Sequence, residues 1–208
     1  MQITDTLFLI VVIIFSAIVH EVMHGVAADS LGDKTARYAG RLTLNPIPHI
    51  DPFGSIILPI LLALSGSSFF FAWAKPVPYN PYNLRPGRFS EAIVAGAGPL
   101  SNLVIALLMG LVMRAIPMSA DVASVLFIII VVNVMLTLFN LIPVPPLDGS
   151  KVLEALLPRA LAHGYSHWRA RMEAQPFLGM AIVLVIVFVL GEAFGTLVYS
   201  VAQAIAGL

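Results

Sequence analysis

Residues 7–28 form an apolar run that carries no charge until its last turns, where His20, Glu21 and His24 fall together. A helix of about 20 apolar residues spans the roughly 30 Å hydrocarbon core of a bilayer. Further runs of this kind cover residues 52–74, 92–116, 122–141 and 177–205. Within lipid every backbone polar group must be satisfied internally. The spacing therefore predicts an all-α integral membrane protein, a polytopic helical bundle. Composition agrees, with 59% hydrophobic and 11% charged residues, against roughly a quarter charged in soluble domains. Eleven basic residues balance 11 acidic ones, so the polyanion attraction behind nucleic-acid binding is missing. The first run is too long, and lacks the basic start and small-residue cleavage site, for a removable signal peptide.

Two stretches break the helical pattern. Residues 38–44 alternate like a strand before Asn45-Pro46, and residues 75–80 carry Pro76 and Pro78. Both read as short membrane-associated edge strands beside a cavity, because proline is confined to sheet edges. The run at 52–74 is interrupted by Ser65-Gly66-Ser67-Ser68, which suits a re-entrant segment. No internal repeat is visible. The chain reads as a single domain, 1–208, with a core at about 7–160 and a C-terminal helical region at 177–206.

His20-Glu21-Val22-Met23-His24 places two imidazoles at i and i+4, one above the other on a helix face. Two histidines so spaced can hold one zinc ion, with the intervening carboxylate positioned as a base for a water molecule. The competing reading is a polar cluster hydrogen-bonded near a helix end, but two histidines and a glutamate in an apolar span are costly without a function. With no cysteine in the chain, a third ligand must be His, Asp or Glu. Asp148 is the candidate: prolines at 143, 145 and 146 end the preceding run, and Gly149 permits an unusual turn. Its local alternative is an N-cap for the helix that follows.

If Asp148 meets His20 and His24, then Lys34, Arg37, Arg41, Lys75, Arg85, Arg88, Lys151, Arg159, Arg169 and Arg171 share one side, and Arg114 alone is left on the other. Basic residues accumulate on the cytoplasmic side. The expected location is the cell membrane, multi-pass, with the active site nearer the cytoplasmic face. His49 and Asp51 lie in a proline-bracketed loop able to reach the metal as an extra or gating ligand, or to stabilise the loop itself. His163 and His167 share i, i+4 spacing within a basic stretch that reads as an interfacial amphipathic helix.

With both motifs in view, the sequence resembles the site-2 protease family of intramembrane zinc metalloproteases. The matching pieces are His20 to His24, Ala97-Gly98-Pro99-Leu100-Ser101-Asn102 and the Asn140 to Gly149 stretch. Asn45-Pro46, His49 to Gly54 and Trp73 to Pro78 resemble its compact bacterial branch. The resemblance implies one Zn2+ held by His20, His24 and Asp148, with Glu21 as general base. It also puts Asn102 and Asn140 near the metal, to stabilise an oxyanion or orient substrate. It further implies transmembrane protein substrates and a bilayer partner. No PDZ-like or nucleotide-sensing domain is expected. The rival class is a membrane metal transporter using the same His/Glu/Asp cluster, although the paired halves common in transporters are missing.

Overall fold

A computed structural model of the chain describes residues 3–57, 61 and 74–208. Its helices, in order, are α1 (Ile3–Ser30), α2 (Thr35–Tyr38), α3 (Ser90–Ala115), α4 (Ala120–Asn140), α5 (Asp148–Leu156), α6 (Arg159–Glu173) and α7 (Pro176–Ala206). Short helical turns occupy Ile47–His49, Pro52–Ile57 and Pro81–Asn83. Four segments, Phe8–Ser30, Ser90–Ala115, Ala120–Asn140 and Phe177–Ala206, are long and apolar enough to cross a membrane. Their limits follow local chemistry. The Ser119 hydroxyl accepts from the Val122 N–H at the start of α4, and prolines from 143 onward remove the donors a longer helix needs.

The central helix is α3, which packs against α1, α4, α5 and α7. Its buried positions are small, among them Ala95, Gly98, Ala106 and Gly110. Helices in lipid associate by close van der Waals approach, so small residues mark the contact face. A Cβ at Gly110 would lie 2.6 Å from the Ile205 carbonyl oxygen, leaving room for hydrogen only. Ala106, Ile130, Val134, Val198, Ala202 and Ala206 form the dry core between α3, α4 and α7. Arg114 closes that end of the bundle. Its Nε donates to the Ile205 carbonyl at 2.9 Å and its Nη2 to the Ala204 carbonyl, neutralising the C-terminal dipole of α7.

A buried polar ladder sets the rotation of three helices. The Asn133 amide donates to Ser16 Oγ at 3.0 Å, while the Asn102 amide donates to Asn133 Oδ1 at 2.9 Å and to the Ser16 carbonyl at 3.1 Å. Thr137 Oγ1 donates to the Pro99 carbonyl at 3.1 Å. The order of helix ends puts the α1 C-terminus, the α3 N-terminus, α5, α6 and the start of α7 at one face. The α3 C-terminus, with Arg114, is at the other.

No strand occurs among the described residues, which corrects the expectation for residues 38–44 and 75–80. Around 38–44 the backbone bonds locally instead: the Arg41 N–H returns to the Ala36 carbonyl at 2.9 Å, and Gly40 adopts φ 65° to allow it. The 75–80 segment spends its polar groups on partners that are not strands. The Lys75 N–H donates to the His49 carbonyl at 2.9 Å. Arg41 Nη2 reaches the Lys75 and Pro76 carbonyls at 2.8 and 3.3 Å. The Asn80 N–H donates to Asp33 Oδ2 at 2.7 Å, and Pro76 and Pro78 have no N–H to give. The central part of the expected re-entrant segment lies outside the described residues. Its two ends meet at the His49–Lys75 bond, so the chain leaves and returns at the same face.

Candidate metal centre

Helix α1 places His20 and His24 one turn apart, with ring centroids 4.7 Å apart and edge-on. Each Nδ1 is fixed by an acceptor on α3. His20 Nδ1 lies 2.7 Å from Asn102 Oδ1, and His24 Nδ1 lies 2.7 Å from the Val94 carbonyl. Carbonyl oxygens only accept, so both protons belong on Nδ1 and both Nε2 lone pairs point away from them. They point at Asp148. Its Oδ2 is 3.2 Å from His20 Nε2 and 3.3 Å from His24 Nε2.

Three acceptor atoms facing one another at such distances repel unless a cation joins them. Donors bonded tetrahedrally to zinc at roughly 2.0–2.2 Å stand about 3.3–3.5 Å apart, which the observed spacings match. All three ligand atoms lie within 4.8 Å of one another. The His20, His24 and Asp148 cluster can therefore hold a metal ion, and the donor set suits zinc. Nδ1–H bonds to carbonyl oxygens are the usual means of orienting ligating imidazoles.

Two glycines make this approach possible. A Cβ on Gly98 would stand 2.6 Å from both His20 Nε2 and His24 Nε2, inside the space between the ligands. A Cβ on Gly149 would lie 2.7 Å from the Ile142 carbonyl oxygen, so only glycine lets α5 start hard against the end of α4. The helix cap is Leu147, with no side-chain bond. Asp148 is thus free of capping duty, and its carboxylate turns to the histidines.

Glu21 projects beside this cluster, where its Oε2 accepts the Val77 N–H at 2.8 Å. His20, Glu21, His24, Val77, Asn140 and Asp148 line a cavity of about 210 Å³. Tyr79 and Lys151 complete one wall, with Lys151 Nζ donating to the Tyr79 hydroxyl at 2.8 Å and lying over its ring. Asn140 is on the wall with one amide hydrogen on the Leu136 carbonyl. Asn102 is elsewhere: it is wholly buried behind His20, with both amide hydrogens on Ser16 and Asn133. His49 is outside the cluster. It is buried, and its Nε2 donates to the Thr43 carbonyl at 2.9 Å. Asp51 accepts the Gly54 N–H at 2.6 Å, anchoring the following turn. His163 and His167 remain together on α6, away from the cavity.

Sequence reasoning passed over the residues that hold the cavity roof. Arg41 clamps two carbonyls and so aims the Val77 N–H at Glu21. Asp33 accepts from the Thr35 N–H and Oγ1, the Asn80 N–H and the Asn83 amide. The only hint in the sequence is a buried-type charge next to a helix end, which is too common to single out. Burial pulls the Asp33 carboxyl up, but the hydrogen bonds from Thr35, Asn80 and Asn83 outweigh it and hold the group below its ordinary value. A carboxylate lowered in the folded state contributes stability above its unfolded pKa of about 3.9, lost as pH falls through the folded value. Asp33→Ala should cost about 1–3 kcal/mol by stranding buried donors. It should also flatten the acid limb of the thermal stability profile, which a melting series between about pH 6 and pH 3 checks.

For His49→Ala the expected result is full zinc retention with a modest change in activity, since its ring serves the 43–49 loop. Stoichiometric zinc loss, measured on the purified variant, would contradict that placement.

A model of "Peptidase family M50" matches residues 113–186. The chain is 37% identical over 188 residues to "Putative zinc metalloprotease YwhC" of Bacillus subtilis (strain 168), covering 86% of this chain and 79% of the relative. It is 34% identical over 155 residues to "Putative zinc metalloprotease Rip2" of Mycolicibacterium smegmatis, covering 72% of this chain and 58% of that one. Rip2 of Mycobacterium tuberculosis is 31% identical over 154 residues, covering 71% and 58%. No solved structure gives a significant match. Four helices long and apolar enough to cross a membrane, with two histidines and a carboxylate gathered where they could hold a metal ion, fit a multi-pass membrane metalloprotein. The chain belongs to peptidase family M50, the site-2 protease family of zinc metalloproteases.

Proposed function

We propose that this chain is an intramembrane zinc endopeptidase that hydrolyses peptide bonds in or next to transmembrane helices of other membrane proteins. His20, His24 and Asp148 hold the metal and Glu21 is the general base. The observation that carries the reading is the convergence of three acceptor atoms at zinc spacing, with a carboxylate beside them and Gly98 keeping the centre open. Bound zinc supplies Lewis acidity to a peptide carbonyl and to water.

The chain's own residues do the rest. The Val77 N–H holds Glu21 Oε2, which orients the carboxylate and leaves Oε1 for the proton of the attacking water. Glu21 then returns that proton to the leaving amine nitrogen. Asn102 is a positioning residue, since it fixes the tautomer and rotation of His20. Asn140 is the asparagine on the cavity wall with an amide hydrogen left for the developing oxyanion. A helical substrate must unwind before its carbonyl is exposed, and the cavity's place at the end of α1 favours bonds near the membrane boundary.

The transporter reading makes a different forecast. Zinc-dependent cleavage of a model transmembrane substrate in proteoliposomes, without zinc flux, supports the protease; flux without cleavage removes it. We further propose that residues 1–208 act as one domain, with the site at the cytoplasmic face of the cell membrane. The asymmetry of basic residues supports that orientation. In this cysteine-free chain, Ser166→Cys and Ser119→Cys should be labelled by an impermeant reagent from opposite sides. Labelling of both from one side would refute the topology.

A further inference from the structure

A second cavity lies apart from the metal site. It measures about 580 Å³ and lies between the 81–90 loop, the start of α3, α5 and α6. Five cationic side chains line it: Arg85, Arg88, Lys151, Arg159 and Arg169, against the two carboxylates Glu91 and Glu154. Both carboxylates are already engaged by one guanidinium. Arg169 reaches Glu154 at 2.5 Å and Glu91 at 3.3 Å, and also pairs with Glu173 outside the cavity at 2.8 Å. Arg85, Arg88 and Arg159 form no ion pair among the described residues. Arg88 donates to the neutral Leu157 carbonyl, and Lys151 to the Tyr79 phenol.

The excess charge is held in place by the chain. The Arg85 N–H donates to the Leu31 carbonyl at 2.8 Å, and Ser90 Oγ to the Arg85 carbonyl at 2.7 Å. The Pro86-Gly87 turn between them therefore presents Arg85 and Arg88 on a supported loop. The 26-residue helix α3 begins at the same cavity through Ser90 and Ala92, with Glu91 in its first turn offsetting its N-terminal charge. Counting the three carboxylates that share Arg169, the five cations still leave a positive excess, and cations around one concavity concentrate a positive potential there. An anion offsets that potential. Guanidinium groups match phosphate with two parallel hydrogen bonds, and a cavity in the roughly 300–1,000 Å³ range takes a small organic molecule. Leu84, Ala92, Ala155 and Ala162 add apolar lining beside the first turn of α3.

We propose that the cavity bounded by Arg85, Arg88 and Arg159 binds the phosphate group of a small organic anion, either an anionic phospholipid headgroup or a water-soluble phosphate ester. Its occupant would adjoin the metal cavity across Lys151, which lines both.

The test uses the full chain, purified in detergent, with phosphatidylglycerol, phosphatidylcholine and glycerol 3-phosphate as probes. Saturable binding of phosphatidylglycerol over phosphatidylcholine is expected by native mass spectrometry. Arg85→Gln with Arg159→Gln should weaken it by about tenfold or more, the scale of losing charge-assisted hydrogen bonds. A charge-matched control, Lys75→Gln with Arg171→Gln, removes two cations that do not line the cavity and should leave the affinity unchanged. Both side chains of the first pair are exposed, and retained zinc content reports an intact fold. Competition by glycerol 3-phosphate would assign the site to phosphate esters at large; binding of the lipid alone would assign it to the headgroup in its membrane. Absence of saturable binding by any probe, or equal weakening in the two double variants, overturns the proposal.

Discussion

Glu21→Gln is expected to leave the protein folded and zinc-loaded while cleavage of a transmembrane substrate falls by roughly 10²–10⁴, the usual contribution of general acid–base catalysis. The amide keeps the size of the side chain, and its oxygen still accepts the Val77 N–H that Oε2 accepts now. The cavity roof therefore stays in place. What disappears is the ability to take a proton from water. The variant should hold uncut substrate, so co-purification with it is a second readout. Asp148→Ala provides the contrast, because it removes one of the three acceptors gathered at 3.2 and 3.3 Å and should lower zinc content and activity together. Zinc per protein, measured alongside cleavage, separates the two. Near wild-type cleavage by zinc-loaded Glu21→Gln would remove the hydrolytic role assigned to this carboxylate.

Gly98→Ala should disturb the metal centre directly. Its Cβ would lie 2.6 Å from both His20 Nε2 and His24 Nε2, and α1 cannot retreat because Asn102, Asn133 and Ser16 hold it against α3 and α4. A loss of about 10–100-fold in zinc affinity is expected, the range found when the support of metal ligands is disturbed, with activity falling at least as far. Gly96→Ala on the same helix is the control. There the nearest atom to a new Cβ is Val152 Cγ2 at 3.9 Å, ordinary contact distance, and alanine favours a helix over glycine by roughly 0.5–1 kcal/mol. Gly96→Ala should therefore retain zinc and melt no lower than wild type. Equal zinc retention in the two variants would mean that the centre does not use the space in front of Gly98.

How much of this was legible beforehand depended on the range of the interactions involved. The spans were legible because each is a local property: an apolar run of bilayer length must become a helix wherever its neighbours lie. His20, Glu21 and His24 were legible for the same reason, since helical geometry alone stacks i and i+4. Asp148 was half legible. Its sequence allowed a cap or a ligand, and the choice fell to Gly149, whose missing Cβ lets α5 approach the end of α4.

The 38–44 and 75–80 segments show the opposite case. Their composition suggested edge strands, but a strand exists only through its partner. Here Arg41, Glu21, Asp33 and the His49 carbonyl took the polar groups that a neighbouring strand would have needed. The same holds for Asn102, which proximity in motif made a candidate for the reaction and which packing placed behind His20 with every hydrogen committed. By itself the sequence determined the membrane spans and the paired histidines with their carboxylate, because those depend on contacts within a turn or two. Only the tertiary structure decided which third residue joins them, which asparagine faces the cavity and what holds Glu21. Those outcomes rest on side chains that meet across 56 to 128 residues of chain, where no local pattern records the partner.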